Sequence, residues 1–400
     1  MAVYRARWVL PISGEPIRDG WVALDQGRVT AVGSGPREGA IDLGSAVILP
    51  ALVNAHTHLE LSYLRERIPP GSSFNEWIRG VMAARREFPD PADPAIIAAA
   101  RDAIRHARAA GTGLFGDISN TLVTVPLLRE EGAAAHVFYE LLGFNAPDPQ
   151  GRVRDARKAV EAAGVDARGV RVSLAPHAPY SVSPGLFAAI RADLDAQANP
   201  VSSVHLSESV GEVELIRQGT GVARAMLESL GAWAGDWRAP GVSPVEYLAD
   251  LGFLDSRVLA VHGVQCSGDD LARLRALGTT VVSCPRSNRY VGAGDPPIES
   301  FYATGVRVAF GTDSLASVAD LNMFSELAAA RRLAPRVRAR DLLASATLCG
   351  ARALGFERDF GSIEAGKQAA LIAVSLPDRV NDVEEYLVSG IDPVTIQWVQ

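Results

Sequence analysis

The sequence predicts an α/β protein: a (β/α)8 barrel of the TIM type over residues 51–360, joined to a small β-sandwich domain that residues 1–50 and 361–400 build together. Three observations predict it. Short runs rich in Val, Leu and Ala alternate with longer Ala/Leu/Arg segments of helical period, and the alternation supplies eight strands. Strands that each return in the same direction through a crossover helix make a parallel sheet, and eight such units close into a barrel. Outside the alternation, both chain ends carry β-prone runs with no helical partner.

In chain order, Tyr4 to Leu10, Trp21 to Leu24 and Val29 to Val32 are the first β-prone runs, and Asp25-Gln26-Gly27-Arg28 joins the last two as a hairpin turn. The apolar run Ala46 to Val53 reads as one strand buried on both faces, leading directly into Asn54-Ala55-His56-Thr57-His58. The remaining strands read Gly113 to Ile118, Ala134 to Leu141, Val170 to His177, Val201 to Leu206, Val258 to Gly263, Thr280 to Cys284 and Val306 to Thr312. Between them lie helical segments at Ala95 to Ala110, Asp155 to Ala163, Pro184 to Ala196, Asp269 to Leu277 and Leu321 to Leu333. Arg340 to Leu354 reads as a further helix, after which the turn-rich Gly361 to Lys367 leads into Ala369 to Val374, expected to pair with the N-terminal strands. Two stretches are longer than a barrel connection needs: Ser62 to Asp93, with Phe74-Asn75-Glu76-Trp77, and Glu208 to Pro244, with Trp233 and Trp237. Both begin where a strand ends, so each is a candidate lid, or a surface insertion with aromatic anchors.

Composition excludes several functions. The chain is 48% hydrophobic and 21% charged, and no apolar run is long enough to span a membrane. The N-terminal residues lack an apolar leader, which points to the cytoplasm. A net charge of -7 offers no basic field for nucleic acid, leaving a small molecule as the expected partner. Cys266, Cys284 and Cys349 form no CxxC pair and are odd in number, against both a disulfide framework and a thiolate metal site.

Five of the seven histidines, His56, His58, His177, His205 and His262, stand at strand ends, and the eighth strand ends in Gly311-Thr312-Asp313. That is the rim where barrel active sites assemble. Residues two apart on a strand point the same way, so His56 and His58 aim together. With His205 and Asp313 they make a set of three nitrogens and one oxygen suited to one divalent metal, zinc first and iron second, with a coordination position left open. Such a cation lowers the pKa of a bound water to roughly 7. Glu208, three residues past His205, can reach over the metal as a proton shuttle, or be a solvated loop carboxylate. His262 can hold the attacking water, serve as another metal ligand, or be a carbonyl-satisfied core histidine. The prolines flanking His177 would fix its ring for substrate contact. Glu60 and Trp77 are further substrate-contact candidates, as are Arg286 and Asn288 at the barrel mouth, where Arg286 could meet a carboxylate or form a surface ion pair. His106 and His136 read as structural or solvated.

His56-x-His58, Pro176-His177-Ala178-Pro179-Tyr180, His205-Leu206-Ser207-Glu208, His262, Cys284-Pro285-x-Ser287-Asn288 and Gly311-Thr312-Asp313, in this order after successive strands, resemble the amidohydrolase superfamily. Nearly the whole chain takes part. The branch it resembles contains nucleoside and nucleobase deaminases and chlorohydrolases. The resemblance implies one metal on His56, His58, His205 and Asp313, Glu208 as proton shuttle, His262 orienting the attacking water and His177 on the substrate. It also implies hydrolytic loss of ammonia from an aminated purine nucleoside, with Asp313 or Glu208 protonating the leaving group, and a homodimer. Two-metal members bridge their ions with a modified lysine at the end of the fourth strand; Lys158 and Lys367 fall elsewhere. His58-Leu59-Glu60-Leu61-Ser62 and Cys284 to Arg289 look most like aminodeoxyfutalosine deaminases of menaquinone synthesis, whose benzoate would give Arg286 or Arg289 a partner. Ser283 stands where many relatives have histidine. The same residues would serve S-adenosylhomocysteine, methylthioadenosine or nucleobase deaminases, a chlorohydrolase or a cyclic-amide hydrolase, and a noncatalytic binding protein could share the fold.

Overall fold

A computed structural model describes residues 1–70, 73–164, 169–198 and 200–399. The chain starts with strands β1 (Ala2–Val9), β2 (Ile17–Asp25), β3 (Arg28–Ser34), β4 (Ile41–Asp42) and β5 (Ala46–Pro50). After them comes β6 (Leu52–Thr57), the first strand of the barrel. The barrel continues through β7 (Thr112–Ser119), β8 (Ala134–Leu141), β9 (Val170–Pro176), β10 (Ser202–Leu206), β11 (Val258–His262), β12 (Thr280–Ser283) and β13 (Arg307–Phe310). The chain closes with β14 (Leu371–Ser375) and β15 (Ile396–Val399).

β6 to β9 form one parallel ladder and β10 to β13 another. Hydrogen bonds at the C-terminal rim join the two halves: the His205 N–H donates to the His177 carbonyl at 2.8 Å and the Asp313 N–H to the His56 carbonyl at 3.0 Å. Both seams therefore run through candidate site residues. Glycines make the close packing around His56 feasible. A Cβ on Gly311 would lie 2.6 Å from the His56 carbonyl oxygen, and one on Gly116 2.3 Å from that of Ala55. Neither space admits a methyl group.

Helices start where sequence chemistry starts them. Proline opens Pro94–Ala109, Pro149–Ala163, Pro184–Asp195 and Pro244–Asp250, where its missing N–H costs nothing. Asp93, Asp148, Ser183 and Ser243 cap the same four. The helix expected from Asp155 thus begins six residues earlier, because Asp148 and Pro149 are its cap and first turn.

The run Ala46 to Val53 is not one strand. β5 pairs with β1 and β14 in a seven-stranded mixed sheet, whereas β6 pairs with β7 in the barrel. The break falls at Pro50 and Ala51, where the chain passes from one sheet to the other; Ala51 N–H donates to Ala370 O across that junction. β14 joins β5 antiparallel, so both chain ends build one sheet. The helix expected over Arg340 to Leu354 is interrupted by a π-turn at Ser345–Cys349, where the Thr347 hydroxyl takes the Leu343 carbonyl at 2.6 Å. Among the described residues no helix is long and apolar enough to cross a membrane.

The two long insertions meet over the barrel mouth. Phe74 and Trp77, on the helix Phe74–Arg86, pack in one buried cluster with Leu215, Met226 and Leu227 from the second insertion. Residues 71 and 72 of the first insertion lie outside the described residues. The Trp77 indole donates to the Ala316 carbonyl at 3.3 Å, and the Tyr290 hydroxyl to the Ile68 carbonyl at 2.7 Å, pinning this roof to the rim.

Candidate metal centre and active-site cavity

The strand ends bring the expected ligands together. His56, His58 and His205 present nitrogens within 4.8 Å of one another. His58 Nε2 and His205 Nε2 face each other at 3.3 Å, and Asp313 Oδ1 stands 3.5 Å from His58 Nε2 and 3.8 Å from His56 Nε2. Burial first, and neighbouring positive charge after it, pushes His58 down to about 3 and His56 well below its ordinary value; burial also pushes His205 down to about 4, against the opposing pull of the Glu140 carboxylate. These rings are neutral, the form that ligates metal. Among the described residues, neither buried ring nitrogen of His56 has a hydrogen-bond partner. An unsatisfied buried nitrogen, Nε2, standing 3.8 Å from Asp313 Oδ1 among like ligands is costly unless a cation occupies the cage, so the residues fit a divalent metal.

Three of the residues that set this geometry have left-handed backbone: Ser207 at φ 52°, His262 at φ 77° and Asp313 at φ 63°. Each follows or ends a barrel strand; the turns at Ser207 and Asp313 bring Glu208 and Ser314 to the cavity, and the turn at His262 leaves that ring itself facing it. The Ser287 hydroxyl donates to Asp313 Oδ2 at 2.6 Å, leaving Oδ1 toward the histidines. His205 donates its Nδ1 proton to the His177 carbonyl at 3.0 Å, which fixes Nε2 as the ligating atom.

Glu208 lies beside this cage, its Oε1 3.4 Å from His262 Nε2. Burial first, then the negative charges of Asp313 and Glu212, pushes its carboxyl well above the ordinary carboxylate range. Raised in this way, the carboxyl holds a proton more readily than a solvated glutamate, which suits a proton carrier. Glu212 accepts the N–H groups of Ser207 at 2.9 Å and Glu208 at 3.1 Å, so it anchors the turn that carries Glu208. Asn288 donates to His262 Nδ1 at 2.8 Å, leaving the His262 Nε2 edge toward Glu208. His177 is held through Nδ1 by the Ser181 hydroxyl at 2.6 Å.

These groups line the polar end of a cavity of about 500 Å³. His58, His177, His205, Glu208, His262 and Asp313 all face it, as does Trp77 in its apolar roof. Three expected substrate contacts do not. Asn288 is buried behind His262 and acts on that ring. Glu60 is buried outside the lining, its carboxylate accepting from Ser119, Asn120 and Thr121. Arg286 is turned away into an ion pair with the fully buried Glu326 at 2.5 Å and with Asp320 at 2.9 Å, and Arg289 is paired with Asp295 at 2.9 Å. The expected carboxylate partner for Arg286 is therefore already inside the protein. Cys284 is buried, with its thiol pushed well above its ordinary value by burial, unsuited to nucleophilic attack.

Sequence reasoning missed Glu140, Asn120 and Arg85, all in the cavity lining. Glu140 ends β8 and with His177 and His205 forms a second group of converging ligand atoms. Its only signal was position, the penultimate residue of a predicted strand. Ser287 was visible in the Cys-Pro-Arg-Ser-Asn run and Glu212 in the Ser-x-x-Glu helix start, without either pointing to its partner.

Comparison with known proteins agrees with this geometry. A 5-methylthioadenosine/S-adenosylhomocysteine deaminase of Moorella thermoacetica is 31% identical, over 97% of this chain and 91% of that one. An aminodeoxyfutalosine deaminase of Deinococcus radiodurans is 33% identical, over 80% and 76%. An adenosine deaminase structure from Xanthomonas campestris with bound zinc superposes with a TM-score of 0.84 at 26% identity, covering 99% of this chain and 90% of that one. The model of the amidohydrolase family matches residues 47–396, and with ligands, rim and sheet arranged as described, the chain belongs to that family.

Proposed function

We propose that this protein is a metal-dependent hydrolytic deaminase of adenosine-like nucleosides. The observation that carries the reading is the convergence, at the polar end of one cavity, of the His56, His58, His205 and Asp313 cage with Glu208 and His262. The relatives that work on such nucleosides support it.

His56, His58, His205 and Asp313 would hold one divalent cation, zinc being our choice, and when bound it supplies the Lewis acidity that brings a water's pKa to about 7. Glu208 takes a proton from the attacking water and passes it to the ring nitrogen beside the reacting carbon. His262, its Nδ1 occupied by Asn288, directs Nε2 at the water and fixes its approach. A C–O bond forms at that carbon and its C–N bond breaks; the second proton of the water, carried by Glu208 or Asp313, goes to the amino group, which leaves as ammonia. His177 meets the substrate on the opposite side, and the apolar roof excludes bulk water.

Ammonia release by zinc-loaded protein across aminodeoxyfutalosine, S-adenosylhomocysteine, methylthioadenosine, adenosine, guanine and cytosine tests this reading. Turnover of an adenine nucleoside supports it. Release of chloride from a chlorinated ring, or ring opening of a cyclic amide, with no ammonia from any nucleoside, would replace it. Aminodeoxyfutalosine stands first in the panel because of the Deinococcus relative; Arg286 no longer argues for it.

A further inference from the structure

One wall of the cavity carries polar chemistry that the deamination steps above do not use. Asn120 spends its amide hydrogens on Glu140, at 2.9 Å to Oε2 and 3.3 Å to the carbonyl, and its oxygen on Arg85 Nη1 at 3.1 Å. It is a strut. What faces the cavity is the buried Glu140 carboxylate, its Oε1 3.4 Å from His205 Nδ1, and the remaining N–H groups of Arg85, which is partly exposed in the roof helix. Glu60 lies 3.7 Å from Arg85 Nη2, but it is engaged by hydrogen bonds from Ser119 and Thr121.

The charges decide the class of ligand. Glu140 and Arg85 stand together on this wall, with the Glu60 carboxylate behind Arg85, so the one guanidinium already has carboxylates beside it and offers no unmatched positive charge to an anion. An acceptor beside a donor fits neutral hydroxyls, each of which can donate to the carboxylate and accept from the guanidinium. The wall also stands at the right end. His205 turns Nε2 to the metal cage, and Glu140 Oε1 stands 3.4 Å from its opposite nitrogen, Nδ1, so one imidazole separates hydroxyl chemistry from the reacting centre.

Resting on the nucleoside reading, we propose that Glu140 and Arg85 recognise the vicinal hydroxyls of the substrate's sugar, with Asn120 as their positioning residue. The test compares kcat/KM for adenosine, 2′-deoxyadenosine and 3′-deoxyadenosine in the zinc-loaded native protein, Glu140→Gln and Arg85→Met, with metal content measured on each. The native protein should lose about 10- to 100-fold on removal of a contacted hydroxyl, as for a hydrogen bond to a charged group. Glu140→Gln should slow the ribonucleoside by a similar factor, barely change that deoxynucleoside, and keep its zinc. Equal slowing of ribo and deoxy forms, or loss of zinc, would overturn the proposal and make Glu140 a support for His205. Should Glu140→Gln fail to fold, Arg85→Met decides by the same ratio, since Arg85 lies at the edge of the roof. Absence of ammonia from every nucleoside in the native protein would instead remove the deaminase reading, and this proposal with it.

Discussion

Replacing Arg286 separates a structural from a substrate role at the residue that the sequence marked as a substrate contact. Arg286 reaches Glu326 through Nε at 2.5 Å, and its own backbone N–H donates to the other carboxylate oxygen at 3.3 Å. Glu326 is 0% exposed and sits at about 7 even with the guanidinium beside it, because burial raises it more than Arg286 lowers it. Arg286→Met leaves that carboxylate without its cation, and breaking a buried pair from one side costs about 3–5 kcal/mol. The Asp320 pair is half exposed and adds about 0–1 kcal/mol. The penalty grows with pH, since the carboxylate is charged at about pH 8 and protonated at about pH 5. Adding Glu326→Leu removes the orphan charge and should recover all but about 1–2 kcal/mol, the residue being the Arg286 N–H that loses its acceptor. Urea denaturation of the native, single and double variants measures all three. An unchanged midpoint in Arg286→Met, together with a raised KM, would refute the reasoning and return Arg286 to the substrate.

Glu208→Gln should lower kcat by about 10²–10⁴-fold while zinc content stays at the native level; unaltered turnover would remove the proton shuttle. Gly311→Ala presses a methyl group onto the His56 backbone, so zinc affinity measured by chelator competition should fall, with activity falling in proportion. His136 lies far from the cage, bonded to the Leu354 carbonyl and the Ser173 hydroxyl, and burial lowers it to about 4. Its unfolded form binds a proton at about 6.5, so the stability it supports is complete above that pH and lost as pH falls toward 4, by about 3 kcal/mol. The gap in unfolding free energy between native protein and His136→Gln should narrow over that window; a constant gap would show that the ring does not titrate.

The sequence shows local features well. Ala134–Leu141 ends where its apolar run ends, and the histidines gather at the rim because strand period and rim position act within a few residues. Partnerships across the fold are harder to see. Arg286 and Glu326 stand forty residues apart, joined through the helix Met323–Leu333, and nothing at position 286 announces its carboxylate. Glu140 looks like any strand residue until Asn120, from the end of the neighbouring strand, turns its amide onto it. The Ala46 to Val53 run deceives for a related reason: apolar content reports burial, not which of two sheets does the burying.

The pairing of β14 with β5 has a consequence for biosynthesis. Residues 371–375 hydrogen-bond along residues 46–50, the segment that leads straight into His56. During translation that edge of β5 stays unpaired until residues 371–375 have been made, whereas the first ligand strand next to it meets its own neighbour β7 far earlier. A nascent chain stopped before Leu371 would carry every ligand of the cage and still lack the antiparallel partner of β5, the strand just before the first ligand strand.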